Sequence, residues 1–135
     1  METWRAVSGL PVGWIEASDA GGVRSVPHQT WRAPNARAKV GHWRSITGRV
    51  LKPRFDKYGR GFVATPTWGS DQRMIGVAVL VCMAFHGEAP EGKPWALHRD
   101  DIKTNNLPGN LYWGSRQDNY VDAHLNRRWF VRWAK

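Results

Sequence analysis

Three polar residues in the last third of the chain, His98, Asn110 and Asn119, have side chains suited to hydrolytic chemistry. A neutral histidine near pH 7 can act as a general base toward a water molecule. The carbonyl oxygen of an asparagine is a hard ligand of the kind that Mg²⁺ accepts. Hydrolysis of a phosphodiester needs an activated water, charge stabilisation at the phosphoryl oxygens and help for the leaving oxygen. A histidine base together with a metal ion bound by asparagine would meet these needs.

Two short strands and a helix must position these side chains. Residues 95–98 (WALH) and 110–113 (NLYW) are predicted to be strands, joined by the polar, loop-forming segment 99–109. Ser115 is followed three residues later by Asp118, which is the pattern of a helix N-cap with an acidic residue in the first turn. This order places His98 on a strand and Asn119 on the adjoining helix, where they can face each other across one phosphate.

Upstream of this region the chain mixes β-branched or aromatic residues with Gly and Pro, which predicts short strands in GWIEAS, GGVRSV, GRVLKP and GFVATPTW. Residues 27–45 have no clear period, so we expect a long loop or arm that becomes ordered on DNA. Residues 75–86 form the longest apolar run. Their β-branched side chains favour a strand, whereas the length of the run and the Gly that follows it favour a helix.

The charge balance indicates the class of partner. The chain has 20 Lys and Arg against 11 Asp and Glu, a net charge of +9, which indicates a polyanionic partner. No stretch approaches the ~18 apolar residues of a membrane span, and the N-terminus lacks the apolar core of a signal peptide. Nucleic acid is therefore favoured over an anionic membrane. RNA is disfavoured because the chain has no aromatic RNP-type motif.

Half of the basic residues lie between positions 24 and 60, where Asp56 is the one acidic residue. Aromatic residues are interleaved with them, which suits a surface that contacts DNA phosphates, although a solvated basic loop is the simpler alternative. The predicted DNA-binding residues are Arg24, Arg32, Arg37, Lys39, Arg44, Arg49, Lys52, Arg54, Lys57 and Arg60, with Arg116 at the start of the predicted helix.

Cys82 is the only cysteine, so the chain can form no internal disulfide and has no CxxC pair for a structural zinc. We expect it to be buried within the apolar run, and we expect the protein to act in a reducing cytoplasm. Nine tryptophans are present, and packing in the core and its rim is their simplest role.

The segment from His98 onward resembles the HNH endonucleases of phages and mobile introns, whose core is a ββα-metal fold. In that family a His ends the first strand, an Asp and an Asn-Asn loop follow, and an Asn-Leu-x-Trp strand leads to a helix opened by Thr or Ser. The matching residues are His98, Asp100, Asn105-Asn106, Asn110-Leu111-Tyr112-Trp113, Ser115 and Asn119. The apolar run VLVCMAFHG resembles the helix that precedes this core, which makes residues 76–85 a predicted helix.

The resemblance implies that His98 is the general base, that Asn119 binds one Mg²⁺ or Mn²⁺, and that Asn110 holds the loop and orients His98. It also implies a phage protein acting in a bacterial host. A weaker similarity continues upstream. Trp4-Arg5, Ala17-Ser18-Asp19 and Gly22-Val23-Arg24-Ser25 resemble a short N-terminal module often fused to these nucleases. Gly22 stands where that module usually has an Arg.

One position departs from the family pattern. Many relatives have an acid or a second His immediately before the catalytic His, as a metal ligand, whereas this chain has Leu97. Three alternatives follow: Asn119 is the only protein ligand, Asp100 contributes, or the site is degenerate. Asp100 would share a strand face with His98, but an Asp at this point more often caps a loop.

The remaining histidines have simpler roles. His28 and His42 are expected to contact phosphate or solvent, and His86 is expected to end the predicted helix. His124 lies five residues after Asn119 and should point roughly the opposite way. The tail, residues 126–135, is either an extension of the helix that packs aromatic residues or a basic flank that grips DNA.

Together these features predict an α+β protein with a ββα-metal nuclease core at residues 71–135, preceded by a basic β-rich module at residues 1–70. The predicted function is metal-dependent DNA cleavage. The alternative is a DNA-binding module that has lost catalysis, and Leu97 favours it. Cutting both strands with one active site would require a homodimer, a partner or sequential nicks.

Overall fold

The computed structural model describes residues 2–7, 14–65 and 73–121. In chain order the strands are β1 (Trp4–Ala6), β2 (Ile15–Ser18), β3 (Val23–Ser25), β4 (His28–Arg32), β5 (His42–Ile46), β6 (Arg54–Phe55), β7 (Gly61–Thr65), β8 (Arg73–Gly76), β9 (Trp95–His98) and β10 (Leu111–Gly114). Helix α1 (Val77–His86) follows β8, and a 3₁₀ turn (Pro108–Asn110) precedes β10. Residues 116–121 are helical.

The strands form four small antiparallel sheets, ordered β1-β2-β3, β4-β5, β6-β7-β8 and β9-β10. The predicted strands in GWIEAS, GGVRSV and GFVATPTW are confirmed as β2, β3 and β7. The segment GRVLKP instead pairs with β3 at a single bridge, Arg24 to Val50. Among the described residues, no helix is long and apolar enough to cross a membrane.

Helix α1 is the centre of the core. It contacts the β1–β3 sheet, strands β7 and β8, and the β9-β10 hairpin. Leu80, Val81 and Cys82 are fully buried, as is expected for a helix that is apolar on all sides. Their neighbours come from both halves of the chain, including Ile15 and Leu111. The predicted helix at residues 76–85 is therefore confirmed, and its burial on every face explains why periodicity could not identify it.

The end of α1 is fixed to the region that holds His98. Gly87 follows the helix with φ +76°, a left-handed conformation that glycine adopts without strain. His86 Nε2 donates a hydrogen bond to Pro108 O at 2.7 Å, and Trp113 Nε1 donates one to Gly87 O at 3.0 Å. The predicted helix-ending role of His86 is confirmed, and these bonds tie α1 to the 3₁₀ turn and to β10.

The predicted boundary between residues 70 and 71 lies outside the described residues and stays a prediction. The hydrophobic cluster contains Val7, Val23 and Val63 from before it, and Val77 and Leu111 from after it. The two segments therefore share one hydrophobic core.

Candidate active site and nucleic-acid interface

Strands β9 and β10 and the helix at residues 116–121 give the β-β-α order that the sequence predicted. His98 is the last residue of β9 and pairs with Leu111, the first residue of β10. Between them the loop closes on itself, because Arg99 N donates a hydrogen bond to Asn110 O at 2.8 Å. His98 therefore sits at the point where the hairpin opens into its loop.

The imidazole of His98 is only 8% exposed and is held by Asn106. His98 Nε2 lies 2.8 Å from Asn106 Oδ1. With the amide oxygen facing the ring, Nε2 carries the hydrogen, and the free lone pair lies on Nδ1. The hydrogen bond thus selects the tautomer in which Nδ1 can accept a proton.

The surroundings of His98 favour its neutral form. Burial lowers the pKa of the imidazole from its ordinary value of 6.5, and the charges of Lys103 and Arg60 lower it further. The hydrogen bond to Asn106 and the charge of Asp100 act in the opposite direction but do not outweigh burial. A neutral imidazole at physiological pH is the state that a general base requires.

Asn110 spans the loop and holds it closed. Its Nδ2 donates hydrogen bonds to Asp100 Oδ1 and to Asn105 O, both at 2.9 Å. Its Oδ1 accepts a hydrogen bond from Asp100 N at 3.2 Å. The direct contact to His98, however, comes from Asn106, so Asn110 acts on the imidazole through the loop and not by touching it.

Asp100 is engaged in the same network. Its Oδ1 also accepts a hydrogen bond from Ile102 N at 2.9 Å, and its Oδ2 accepts one from Asn105 Nδ2 at 2.7 Å. Burial alone would raise the pKa of this carboxyl, but the hydrogen bonds from Asn105, Ile102 and Asn110 outweigh it and lower the pKa. This geometry favours the loop-capping alternative for Asp100 over metal ligation.

Leu97 points away from His98, because successive residues of a strand alternate between its faces. Its side chain is 7% exposed and packs beside Gly114, where a β-carbon would collide with Leu97 Cδ1. The position that bears a metal ligand in many relatives is thus used here for packing.

Asn119 lies on the helix whose start is fixed by Ser115. Asp118 N donates to Ser115 Oγ at 3.2 Å, and Ser115 N donates to Asp118 Oδ2 at 2.9 Å, a reciprocal cap that confirms the predicted helix start. These bonds from Ser115 lower the pKa of the Asp118 carboxyl. Asn119 is half-buried, and its side-chain amide has no hydrogen-bond partner among residues 2–7, 14–65 and 73–121. No hydrogen bond joins it to His98 there.

The donor set can be tested against the metal that the fold resemblance implies. The described part of the chain contains no cluster of three His, Cys, Asp or Glu side chains that could hold an ion. The amide oxygen of Asn119, which has no partner among the described residues, is a hard donor, and Mg²⁺ can keep most of its waters and take further oxygens from a substrate phosphate. The residues that the structure describes therefore fit a divalent ion held by Asn119 together with DNA, and among them there is no closed cage of protein ligands.

The basic stretch includes an exposed β-hairpin, β4-β5. The prediction of a long loop at residues 27–45 was therefore wrong. Both faces of the hairpin meet solvent, so its sequence lacks the apolar alternation by which strands are recognised. Trp31 and Trp43 form a cross-strand pair with ring centroids 5.5 Å apart, and they are 54% and 65% exposed. These two tryptophans do not pack in the core, contrary to the role expected from composition.

Most of the predicted DNA-binding side chains are exposed. Arg32, Arg37 and Arg44 lie on the hairpin or its tip, and neither they nor Lys39 form a salt bridge with any described acid. A second group lines a groove of about 720 Å³ beside the β6-β7-β8 sheet, made by Arg49, Lys52 and Arg54 with Val50, Leu51, Pro53, Phe62, Ala64 and Met74. Lys57, Arg60 and Arg116 are exposed elsewhere.

Arg24 differs from the other predicted DNA-binding residues. Its guanidinium pairs with Glu16 on the neighbouring strand at 2.8 Å and stacks over the Trp4 ring at 4.2 Å. These contacts stabilise the β1–β3 sheet, and they assign Arg24 a structural role. The charge count over residues 24–60 did not include Glu16, because this acid lies on the neighbouring strand and eight residues earlier in the sequence.

His28 also differs from its prediction. Its ring stacks on Trp14 at 3.9 Å between centroids, and its Nδ1 lies 2.8 Å from Val26 O. His28 is half-buried by this packing, whereas His42 is exposed as expected. His124 and the tail at residues 126–135 lie outside the described residues.

Two comparisons with known proteins bear on this arrangement, and no curated protein sequence matches the chain. The family model of the NUMOD4 motif matches residues 2–63. A solved structure, titled "DNA binding and cleavage by the HNH homing endonuclease I-HmuI", matches with a TM-score of 0.63 and 25% sequence identity. That match covers 93% of this chain and 59% of the other, so this chain spans less than two thirds of that chain's length.

These similarities support a relationship to HNH homing endonucleases and confirm the α+β fold class. The residues matched by the NUMOD4 model include Trp4-Arg5, Ala17-Ser18-Asp19 and Gly22-Val23-Arg24-Ser25, the three segments whose sequence resembles a nuclease-associated module. Sequence reasoning gave no role to Asn106, although it had noted the Asn-Asn pair; that pair was the available signal.

Proposed function

We propose that the protein is a DNA endonuclease that hydrolyses phosphodiester bonds, with His98 as the general base. The observation that carries the proposal is the hydrogen bond from His98 Nε2 to Asn106 Oδ1, which leaves the lone pair of Nδ1 to receive a proton. Burial keeps this imidazole neutral at physiological pH by lowering its pKa.

In the proposed reaction, a water molecule next to His98 gives one proton to Nδ1 as its oxygen forms a bond to the scissile phosphorus. The bond from phosphorus to the 3′ oxygen breaks, and that oxygen leaves with the electron pair and takes a proton from solvent. Asn106 stabilises the imidazolium that forms, because its amide oxygen accepts a hydrogen bond from the charged ring. Asn110, Asp100 and Asn105 keep the loop closed, so the ring does not have to reorganise during the reaction.

Asn119 would hold the Mg²⁺ or Mn²⁺ ion through its amide oxygen. When bound, such an ion supplies Lewis acidity at the phosphate and stabilises charge on the leaving oxygen. Because one neutral amide is a weak donor set, the ion should bind tightly only when DNA is present.

DNA binding is proposed for the β4-β5 hairpin and the groove at residues 49–54. The cations there have no acidic partner in the described part of the chain, so they are available for phosphates. Duplex cleavage at both strands would require two copies of the chain or two successive nicks.

The second candidate is a DNA-binding protein on a nuclease scaffold without activity. Leu97 favours it, because its buried side chain offers no ligand where many relatives have one. The two candidates differ only in whether the chemical step occurs, so one set of assays separates them.

The test is conversion of supercoiled plasmid to nicked or linear DNA with Mg²⁺, with Mn²⁺ and with EDTA. We expect cleavage only with a divalent ion. His98→Ala should lower the single-turnover rate by about 100- to 10,000-fold while DNA affinity stays nearly unchanged, since a general base acts in the transition state. Asn119→Ala should also abolish cleavage and weaken metal binding, whereas His124→Ala should cleave like the parent.

Full activity of the parent in EDTA would refute the metal-dependent mechanism. Undiminished cleavage by His98→Ala would refute the assignment of the base. If the parent binds DNA but cuts with neither ion, the binding-protein candidate is correct.

A further inference from the structure

The turn between β2 and β3 is fixed by several hydrogen bonds. Ser18 N donates to Gly22 O at 2.9 Å, and Gly21 N donates to Ser18 O at 3.0 Å. The fully buried Ser18 hydroxyl accepts a further hydrogen bond from Gly22 N at 2.9 Å. Asp19 N donates a hydrogen bond to Thr3 O at 3.0 Å, and Thr3 N donates one to Asp19 Oδ1 at 2.9 Å. The turn is therefore a firm part of the N-terminal sheet.

This turn touches the residue that holds His98. Gly21 has φ +85°, and a β-carbon built on it would lie 3.2 Å from Asn106 O and 3.3 Å from Asn106 Cβ. A side chain at position 21 would therefore meet Asn106 at less than ordinary van der Waals distance, and glycine avoids that contact. On its other side, Asn106 accepts the hydrogen bond from His98 at 2.8 Å.

We propose that Gly21 is a positioning residue for the active site, acting through Asn106 on the imidazole of His98. In this proposal the β2-β3 turn of the N-terminal sheet limits where Asn106 can lie, and so fixes the distance between its amide oxygen and His98 Nε2. This inference rests on the proposed endonuclease function for its kinetic consequence, but its structural part can be tested without cleavage.

The physical argument is steric. A side chain at Gly21 must push Asn106 by a few tenths of an ångström, because the contacts it would make are tighter than ordinary van der Waals distance. The hydrogen bond from His98 Nε2 to Asn106 Oδ1, 2.8 Å long, would then lengthen and weaken. A weaker acceptor reduces the preference of the ring for the Nε2–H tautomer, and the Nδ1–H tautomer that gains population cannot take a proton at Nδ1. A misplacement of 1 Å can cost roughly 100-fold in rate, so a smaller shift should cost roughly tenfold.

The variant to compare is Gly21→Ala with Gly92→Ala. Gly92 has a similar backbone conformation, φ +79°, and a β-carbon there would meet nothing within 4 Å. Both variants carry the same left-handed strain, but only the first presses on Asn106. We expect Gly21→Ala to cleave plasmid with Mg²⁺ roughly tenfold more slowly in single turnover, with DNA affinity in EDTA changed less than about twofold. Gly92→Ala should match the parent in both measurements.

The second measurement is the tautomer of His98 in the free protein, read from the ¹⁵N shifts of its ring nitrogens at a pH where the ring is neutral. The charged groups that act on the ring, Asp100, Lys103 and Arg60, are the same in every variant. We expect the parent and Gly92→Ala to show the Nε2–H form and Gly21→Ala to show a mixture. A general loss of stability would not change the tautomer of the folded protein.

A comparison with a double variant tests whether Gly21 acts on His98 through Asn106. In an Asn106→Ala background the amide is already absent, so adding Gly21→Ala should change neither the tautomer nor the cleavage rate further. If Gly21→Ala does not fold, Ser18→Ala replaces it, because removing that hydroxyl loosens the same turn and should shift the tautomer in the same direction.

The proposal is overturned if Gly21→Ala folds with the parent's tautomer, or if its effects add in full to those of Asn106→Ala. Should the parent fail to cut DNA at all, the proposed function is wrong, but the tautomer measurement still decides whether Gly21 positions His98 through Asn106.

Discussion

Replacing Asn110 by Ala should open the loop that supports His98. The substitution removes three hydrogen bonds, two of them to Asp100 and one to Asn105 O. A neutral hydrogen bond contributes about 1 kcal/mol net, and one to a charged group about 1.5–3 kcal/mol. Because the loop is only part-buried and water can replace some of these bonds, we expect a loss of about 2–4 kcal/mol in the free energy of unfolding.

The assay is urea unfolding followed by tryptophan fluorescence, with the slope against urea compared between variants. Asn35→Ala is the matched control, because Asn35 Oδ1 also caps a turn, accepting from Arg37 N and Ala38 N at 2.8 Å, but at the exposed tip of the hairpin. Its loss should be about 1 kcal/mol or less, since water replaces exposed bonds. Cleavage by Asn110→Ala, measured well below the unfolding transition, should be slower than cleavage by the parent.

Asn110→Asp distinguishes the loss of the bonds from the loss of volume. A carboxylate at this position would face the carboxylate of Asp100, so it should destabilise the protein at least as much as Ala does. Equal stabilities of Asn110→Ala and Asn35→Ala, with the parent's cleavage rate preserved in Asn110→Ala, would refute the view that Asn110 holds the loop.

Three further predictions concern charge, pH and burial. Neutralising Arg37, Lys39 and Arg44 together should reduce the slope of log DNA affinity against log salt by about two to three units if each contacts one phosphate, whereas an unchanged slope would mean that the hairpin is only a solvated surface. The cleavage rate should rise with pH as His98 loses its proton, and the midpoint of this rise should lie below pH 6.5, because burial lowers the pKa of His98 from that ordinary value; a rate that rises only above pH 7 would contradict this. Burial raises the pKa of the Cys82 thiol to about 12, so a thiol reagent at pH 8 should label it only in denaturant, and rapid labelling of the folded protein would show that the core is open.

The same pKa shift has a consequence for stability. The unfolded chain holds a proton on His98 up to its ordinary value, whereas the folded protein releases it at lower pH. The unfolded state therefore binds more protons in this window, and folding stability is lost as pH falls through the folded pKa. Protonation of His98 at low pH therefore lowers folding stability, and it also removes the neutral imidazole that the proposed reaction needs.

Local sequence determined much of the β-β-α frame around His98. The order of β9, β10 and the following helix was predictable because each signal lies within a few residues: the apolar pairs of the two strands, and the reciprocal cap of Ser115 and Asp118. The basic character of residues 24–60 was equally plain, since charge is a property of composition. The spacing of His98, Asn110 and Asn119 gave the hypothesis of function, and their roles stay predictions.

Tertiary structure decided what depends on residues far apart in the chain. The hairpin β4-β5 was not predicted, because a strand exposed on both faces has no apolar alternation. The ion pair of Arg24 with Glu16 was not predicted either, because it depends on the register of β2 and β3. The contact between Gly21 and Asn106 joins two loops that no local pattern relates. Side-chain periodicity and helix capping depend on residues only a few positions apart, so they specify individual helices and strands. Which loop packs on which is fixed only when helix α1 brings the sheets together around one core.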